Sequence, residues 1–320
     1  MQYIVLEGEP FPAIALGTSG WGGSTHSKNA MIGKIFGRTQ KKNAGIREAE
    51  AVFRKGVELG YTLWDTAAIY ENGASEEILG QLQQKVLPQI SVSTKFTPHG
   101  MEGKNRLNRV FEESSRRLGR EYVDIYWIHN ASNVKKWIKA VTPLAKEGKI
   151  RHIGVANHSL EQICQVQELL EKEGLKLAAV QDHFSLLYQK VKREGILAWC
   201  QKNDVTFWGY FVLEQGVFDG TERSMSNFAE QMKLYGGKKK EILAGLSQLY
   251  EKMDELSLKY GIRKEALAVN YVLQKNVLPV VEVRTEDELQ ITEQALAVQM
   301  EENDIEILKE YAGNVERSWM

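Results

Sequence analysis

Cysteine is scarce. The chain has two, Cys164 and Cys200, both in helix-like stretches, too few for a disulfide framework or a zinc site. An excess of charge of one sign is also lacking. Forty-one Lys and Arg face 42 Asp and Glu, a net charge of −1, so no global basic field marks a nucleic-acid binder. No apolar run approaches the ~20 residues that span a bilayer. The opening stretch Met1–Glu7 lacks the basic flank and long apolar segment of a signal peptide. These absences predict a reduced, cytoplasmic protein without nucleic-acid or membrane partners. What is present is an ordinary globular composition, 43% hydrophobic and 26% charged over 320 residues, which argues against disorder, collagen and coiled coil.

The strongest positive signal is alternation. Eight short β-branched and aromatic runs predict strands: Ile14–Thr18, Thr62–Asp65, Ile90–Lys95, Val123–His129, His152–Ala156, Ala179–Gln181, Val205–Tyr210 and Val277–Val281. Amphipathic, helix-length stretches separate them, including Glu48–Leu59, Ser75–Leu87, Lys104–Leu118, Val134–Glu147 and Leu160–Glu173. Gly60, Gly119, Gly148 and Gly174 follow four of these as helix-stopping glycines, and Pro88 follows the other. Such regular alternation means parallel strands with helical crossovers. Eight strands predict a closed (β/α)8 TIM barrel, read as one domain over residues 1–320 with long active-site loops. The open dinucleotide-binding alternative needs a glycine-rich turn that opens a helix. Gly17–Gly23 is glycine-rich, but no helix pattern follows it directly. Two long segments break the rhythm: Gly22–Gly45, with a basic cluster at Arg38, Lys41 and Lys42, and Phe218–Lys240, which ends in three lysines.

In such a barrel, chemistry belongs at the C-terminal ends of the strands. Strand two ends in Asp65, strand three in Lys95 and strand four in His129, with Tyr70 on the loop after Asp65. Asp, Lys and His are costly to bury unpaired, and three neighbouring strand ends would place them around one point. The four make a proton-donating set. An ammonium at Lys95 would lower the phenol pKa of Tyr70, Asp65 would hold Lys95, and His129 would direct a carbonyl oxygen. None of the four is a hydride source, so reduction would need a cofactor.

With these residues in view, the chain resembles the aldo-keto reductases. The matching stretches are Leu63–Tyr70, Ser93–Lys95, Tyr122–His129, Gly148–Asn157, Val180–Gln181 and Phe207–Leu213, in family order. The resemblance runs from about Ile14 to Leu308. It implies a barrel that binds NADP or NAD without a Rossmann domain, Tyr70 as general acid/base, and Asp65, Lys95 and His129 as its partners. It also implies that Asn157 and Gln181 hold the nicotinamide carboxamide and that Tyr210 stacks on the ring. Thr18, Val212, Leu213, Arg284 and Glu288 are the further cofactor contacts it suggests, and Trp21 and the Gly22–Gly45 loop the border of a substrate pocket. A bacterial and plant branch has a similar long loop. No metal is implied. The expected partner is a small carbonyl or alcohol substrate, and the expected state is a monomer.

Several positions depart from the family pattern. Ala156 stands where Ser is usual, and Phe211-Val212-Leu213 where Ser-Pro-Leu is usual. After strand eight, Glu282 and Glu288 fall where basic or neutral groups are expected, and Thr292 where Asn is. A carboxylate beside a 2′-phosphate is repulsive and favours the bare ribose of NAD. Two further readings stay open: a regulatory or binding protein on the same barrel, and an enzyme whose retained cofactor serves an internal redox isomerisation or elimination. The tail aromatic Trp319 has two readings, packing on the barrel, which is the expected one, and overhanging the pocket.

Overall fold

The computed structural model describes residues 2–22, 38–86, 90–99, 102–103 and 105–318. Residues 23–37 of the long first loop, Pro88 and Trp319 lie outside them.

Among the described residues there are ten strands: β1 (Tyr3–Leu6), β2 (Glu9–Pro12), β3 (Ala15–Gly17), β4 (Leu63–Asp65), β5 (Ser91–Phe96), β6 (Val123–Ile128), β7 (Ile150–Ala156), β8 (Ala179–His183), β9 (Thr206–Tyr210) and β10 (Leu278–Glu282). The last eight form a closed barrel in the order β10-β3-β4-β5-β6-β7-β8-β9, and every strand pair whose register is resolved in it is parallel. Each of the eight expected strands overlaps one of these. Parallel barrel strands are covered on both faces and so read as near-continuous apolar runs. All six residues of β6 are buried. Its one charge, Asp124, accepts from Val92 N at 2.8 Å and faces the guanidinium groups of Arg120 and Arg151, both at 3.2 Å.

The helices follow the amphipathic pattern closely. Arg106–Leu118 buries Leu107, Val110, Phe111, Ser114 and Leu118 and stops at Gly119, whose φ of 65° is left-handed. Leu160–Glu171 opens with a Ser159/Gln162 capping box. Gly80 lets one helix approach another. A Cβ there would lie 2.2 Å from the carbonyl oxygen of Arg117.

Two expectations change. The antiparallel hairpin β1–β2 is additional. Its turn uses Glu7 at φ 47° and Gly8 at φ 90°, the paired left-handed residues of a tight hairpin. Tyr3 and Val5 are exposed, so no apolar alternation announced β1. The Phe218–Lys240 segment is largely helical, with Glu222–Met232 capped by the Thr221 hydroxyl and burying Phe228, Ala229 and Met232. Its closing lysines open the helix Lys239–Tyr260 and pair with carboxylates: Lys238 with Glu241, Lys239 with Glu230.

The chain forms two compact units. One comprises residues 1–181, 198–206 and 282–289; the other comprises 182–197, 207–281 and 290–320. In the second, Gln189 ties elements together by donating its amide to the Tyr271 hydroxyl at 2.7 Å and its backbone N–H to Glu316 at 2.9 Å. No helix among the described residues is long and apolar enough to cross a membrane.

Candidate active site

The first unit holds the four strand-end residues. β4 ends in Asp65, 2% exposed, and β5 carries Lys95, fully buried. A lysine there needs a counter-charge. Its Nζ donates to Asp65 Oδ2 and, at 2.9 Å, to the carbonyl oxygen of Thr66. The other carboxylate oxygen of Asp65 accepts from Ser93 Oγ at 2.7 Å, and Ser93 Oγ accepts from Trp127 Nε1 at 2.5 Å. Trp127 in turn lies on Gly154, its register partner on β7, where a Cβ would come within 2.3 Å of the indole. A relay thus runs from a strand glycine to the buried ion pair.

Tyr70 sits on a short turn in which Glu71 and Asn72 take left-handed φ of 46° and 55°. Lys95 Nζ is 5.3 Å from the centre of its ring, and the His129 ring stands 6.3 Å away at 78°. His129 is fixed through Nδ1, 2.7 Å from the Thr97 hydroxyl, and its carbonyl accepts from Asn157 Nδ2 at 2.8 Å. The structure therefore brings Asp65, Tyr70, Lys95 and His129 together.

The electrostatics differ from the expected tuning. Burial raises the Tyr70 pKa, and the carboxylates of Asp65 and Glu282 raise it further. Burial pushes the Lys95 ammonium down, against the opposing pull of Asp65. Burial, helped by Lys95 and His99, lowers His129 to about 3, so its ring is neutral at physiological pH.

The cofactor candidates divide. The backbone N–H of Asn157 donates to the Gln181 carbonyl at 3.0 Å. The side-chain amide nitrogen of Gln181 is buried and has no hydrogen-bond partner among the described residues. An orphaned buried donor costs about 1–3 kcal/mol, and a ligand carbonyl would satisfy it. That is the fit expected for a carboxamide such as that of nicotinamide. Thr18 is fully buried. Its hydroxyl is 2.7 Å from Ser75 Oγ and donates to the Asp65 carbonyl at 3.1 Å, a placement that stitches β3 to β4. Trp21 is also internal: it donates Nε1 to the Val283 carbonyl at 2.8 Å and packs on Trp64 and Phe53. Its satisfied N–H and aromatic neighbours give it a packing role rather than one at a pocket border.

At the end of β10, Arg284 gives two guanidinium hydrogen bonds to one oxygen of Glu282, at 2.8 and 3.1 Å. A Cβ on Gly20 would strike both side chains at 2.7 Å, so a glycine there makes room for the pair. Glu288 accepts from the backbone N–H groups of Arg284 at 2.5 Å and Thr285 at 3.0 Å, and its own N–H donates to the Thr285 hydroxyl at 3.3 Å. This is a capping box on the helix Glu286–Ala297. Thr292 is fully buried in that helix.

In the second unit Tyr210 ends β9, followed by Phe211, half-exposed at φ 54°, and by Val212, buried. Leu213 leads into a turn in which Glu214 and Gln215 also take left-handed φ. His183 stacks between Tyr188 and Tyr210. Ser93, Trp127, Gly154 and Thr97 support the four strand-end residues, and the sequence reading gave them no role. For Ser93 a signal existed: two residues before Lys95 on a strand, it shares that side chain's face.

The model of the Aldo/keto reductase family matches residues 13–312. A putative aryl-alcohol dehydrogenase of Schizosaccharomyces pombe is 26% identical over 308 residues, covering 83% of this chain and 93% of its own length. An aldo-keto reductase of the same organism, named with NADP(+), is 25% identical over 288 residues, 83% of each chain. The structure of a glycerol dehydrogenase from Gluconobacter oxydans superposes with a TM-score of 0.78 at 23% identity, over 98% of this chain and 96% of that one. That likeness is one of fold.

Proposed function

The chain belongs to the aldo-keto reductase family, and from this premise we propose that it interconverts a small aldehyde or ketone and its alcohol, with a nicotinamide cofactor and with Tyr70 as general acid/base. The observation that carries the reading is the meeting of Tyr70 with a buried Lys95–Asp65 pair and a neutral His129. The cofactor, when bound, supplies the hydride that none of these side chains can.

The rest is the work of the chain. The raised pKa of Tyr70 keeps its phenol protonated across the neutral range, so a proton is always available at its oxygen. A carbonyl oxygen gaining negative charge is a far stronger base than phenolate, and it draws that proton. The ammonium of Lys95, beside the Tyr70 ring, stabilises the phenolate left behind. Asp65 and the Thr66 carbonyl fix the ammonium in place. With the Thr97 hydroxyl as donor to Nδ1 of the neutral His129, 2.7 Å away, the imidazole proton sits on Nε2, from which it would hydrogen-bond the substrate oxygen and steer it toward Tyr70. In the first unit Gln181 and Asn157 would hold the carboxamide; in the second, Tyr210 would carry the nicotinamide ring, with Val212 and Leu213 as its neighbours in sequence.

The same reading favours NAD over NADP. The guanidinium of Arg284 is already neutralised by Glu282, and the backbone donors at the helix start are taken by Glu288. A 2′-phosphate would meet carboxylates, whereas ribose hydroxyls can donate to them.

Tyr70→Phe tests the proposal. It removes the phenolic proton and leaves the ring. Turnover of carbonyl substrates should fall by about 10²-fold or more, while cofactor binding, followed by tryptophan fluorescence quenching, persists. Undiminished turnover in that variant would sink the assignment.

A further inference from the structure

His183 closes β8 and is the middle plate of three rings. It lies 3.9 Å from Tyr188 at an interplanar angle of 6°, and 5.7 Å from Tyr210 at 19°. Phe211 stands edge-on to both His183 and Tyr210, at 5.5 Å and 83° and at 5.1 Å and 76°. The middle ring is clamped. Its Nε2 is 2.7 Å from Glu214 Oε1, and its backbone N–H donates to Asp182 Oδ1 at 2.7 Å. The same Glu214 oxygen accepts from Ser185 Oγ at 2.5 Å, and Ser185 Oγ accepts from the backbone N–H groups of Leu187 and Tyr188, each at 3.0 Å. One buried carboxylate therefore fixes the His183 ring directly and the Tyr188 segment through Ser185. Glu214 and Phe211 reach their places only through left-handed backbone at φ 45° and 54°, a strain that persists where the surrounding structure holds it.

We propose that His183, held by Glu214 and Ser185, is a positioning residue for Tyr210: it backs the ring and sets the plane on which a flat ligand ring stacks. The inference rests on the reading above that Tyr210 carries the nicotinamide. A tyrosine ring free to turn about its side-chain bonds loses that freedom when a ligand lands on it. A ring already backed by His183 and edged by Phe211 has lost it beforehand, and the ligand binds more tightly for it. Aromatic contacts of this kind favour offset stacked or edge-on geometries, and both are present around Tyr210.

The test is direct titration of the full chain with NADH, read by tryptophan fluorescence, for wild type, Tyr210→Ala, His183→Ala, His183→Phe and the double variant His183→Ala/Tyr210→Ala. Near-ultraviolet circular dichroism and urea midpoints report folding alongside. Tyr210→Ala should weaken binding. His183→Ala should weaken it up to about tenfold, the fold-change that the loss of one aromatic contact converts to. The double variant should lose no more than Tyr210→Ala alone. His183→Phe, which keeps a flat ring but not the Glu214 bond, should recover most of the loss, a recovery that damage to the β8 end would not give. In turnover, His183→Ala should raise the cofactor KM more than it lowers kcat.

Weakened binding in Tyr210→Ala with wild-type binding in folded His183→Ala would overturn the inference and leave the role of Tyr210 standing. Strictly additive losses in the double variant would also overturn it. Unchanged binding in Tyr210→Ala would remove the role of Tyr210, and the inference with it.

Discussion

Ser93 shows how far the candidate site reaches beyond its reacting groups. It accepts from Trp127 and donates to Asp65, so the carboxylate that holds Lys95 is itself held. Ser93→Ala removes a donor from a buried carboxylate and an acceptor from a buried indole. Hydrogen bonds to charged groups contribute about 1.5–3 kcal/mol, and the variant should lose stability of that order in urea unfolding. Unchanged stability would show that the relay carries no load. Asp65, Lys95 and His129 were legible because a charge at the end of an apolar strand is conspicuous. The sign of the Tyr70 shift was not. It depends on how much water the phenol loses and on which carboxylates come to face it, and neither is written in spacing.

At the scale of elements, all eight barrel strands were legible, since β-branched runs between helical stretches have few other solutions. The hairpin β1–β2 was not, because its outer residues are exposed and its register comes from a two-residue turn. Glu288 teaches a different lesson. Thr285-Glu286-Asp287-Glu288 has the spacing of a capping box, and the structure uses it as one. Judged as a cofactor contact alone, Glu288 looked anomalous; judged as a helix cap, it has a partner for its charge. Thr18 and Trp21 were given roles toward cofactor and substrate by the family resemblance. Their side chains turn inward, where neighbours distant in sequence satisfy them.

For the whole molecule, two histidines make stability depend on pH. An ordinary histidine gains its proton near 6.5; folding holds His129 off until about 3 and lowers His158 through burial, against a hydrogen bond to the Ala156 carbonyl. Below pH 6.5 the unfolded chain therefore binds more protons than the folded one. Stability is fully present above 6.5 and falls as pH drops, by up to about 1.4 kcal/mol per pH unit for each histidine that stays neutral. The urea midpoint should be lower at pH 5 than at pH 7, and the difference should shrink in His158→Asn. Equal midpoints would contradict these shifts. The account as a whole turns on a nicotinamide cofactor whose adenosine end meets an Arg284 guanidinium already paired with Glu282. Its most direct test is a pair of fluorescence titrations of the unmodified protein, one with NADH and one with NADPH. The account predicts saturable quenching by both, with NADH the tighter. Much tighter NADPH would mean that Glu282 and Glu288 do not discriminate, and binding of neither would contradict the oxidoreductase reading itself.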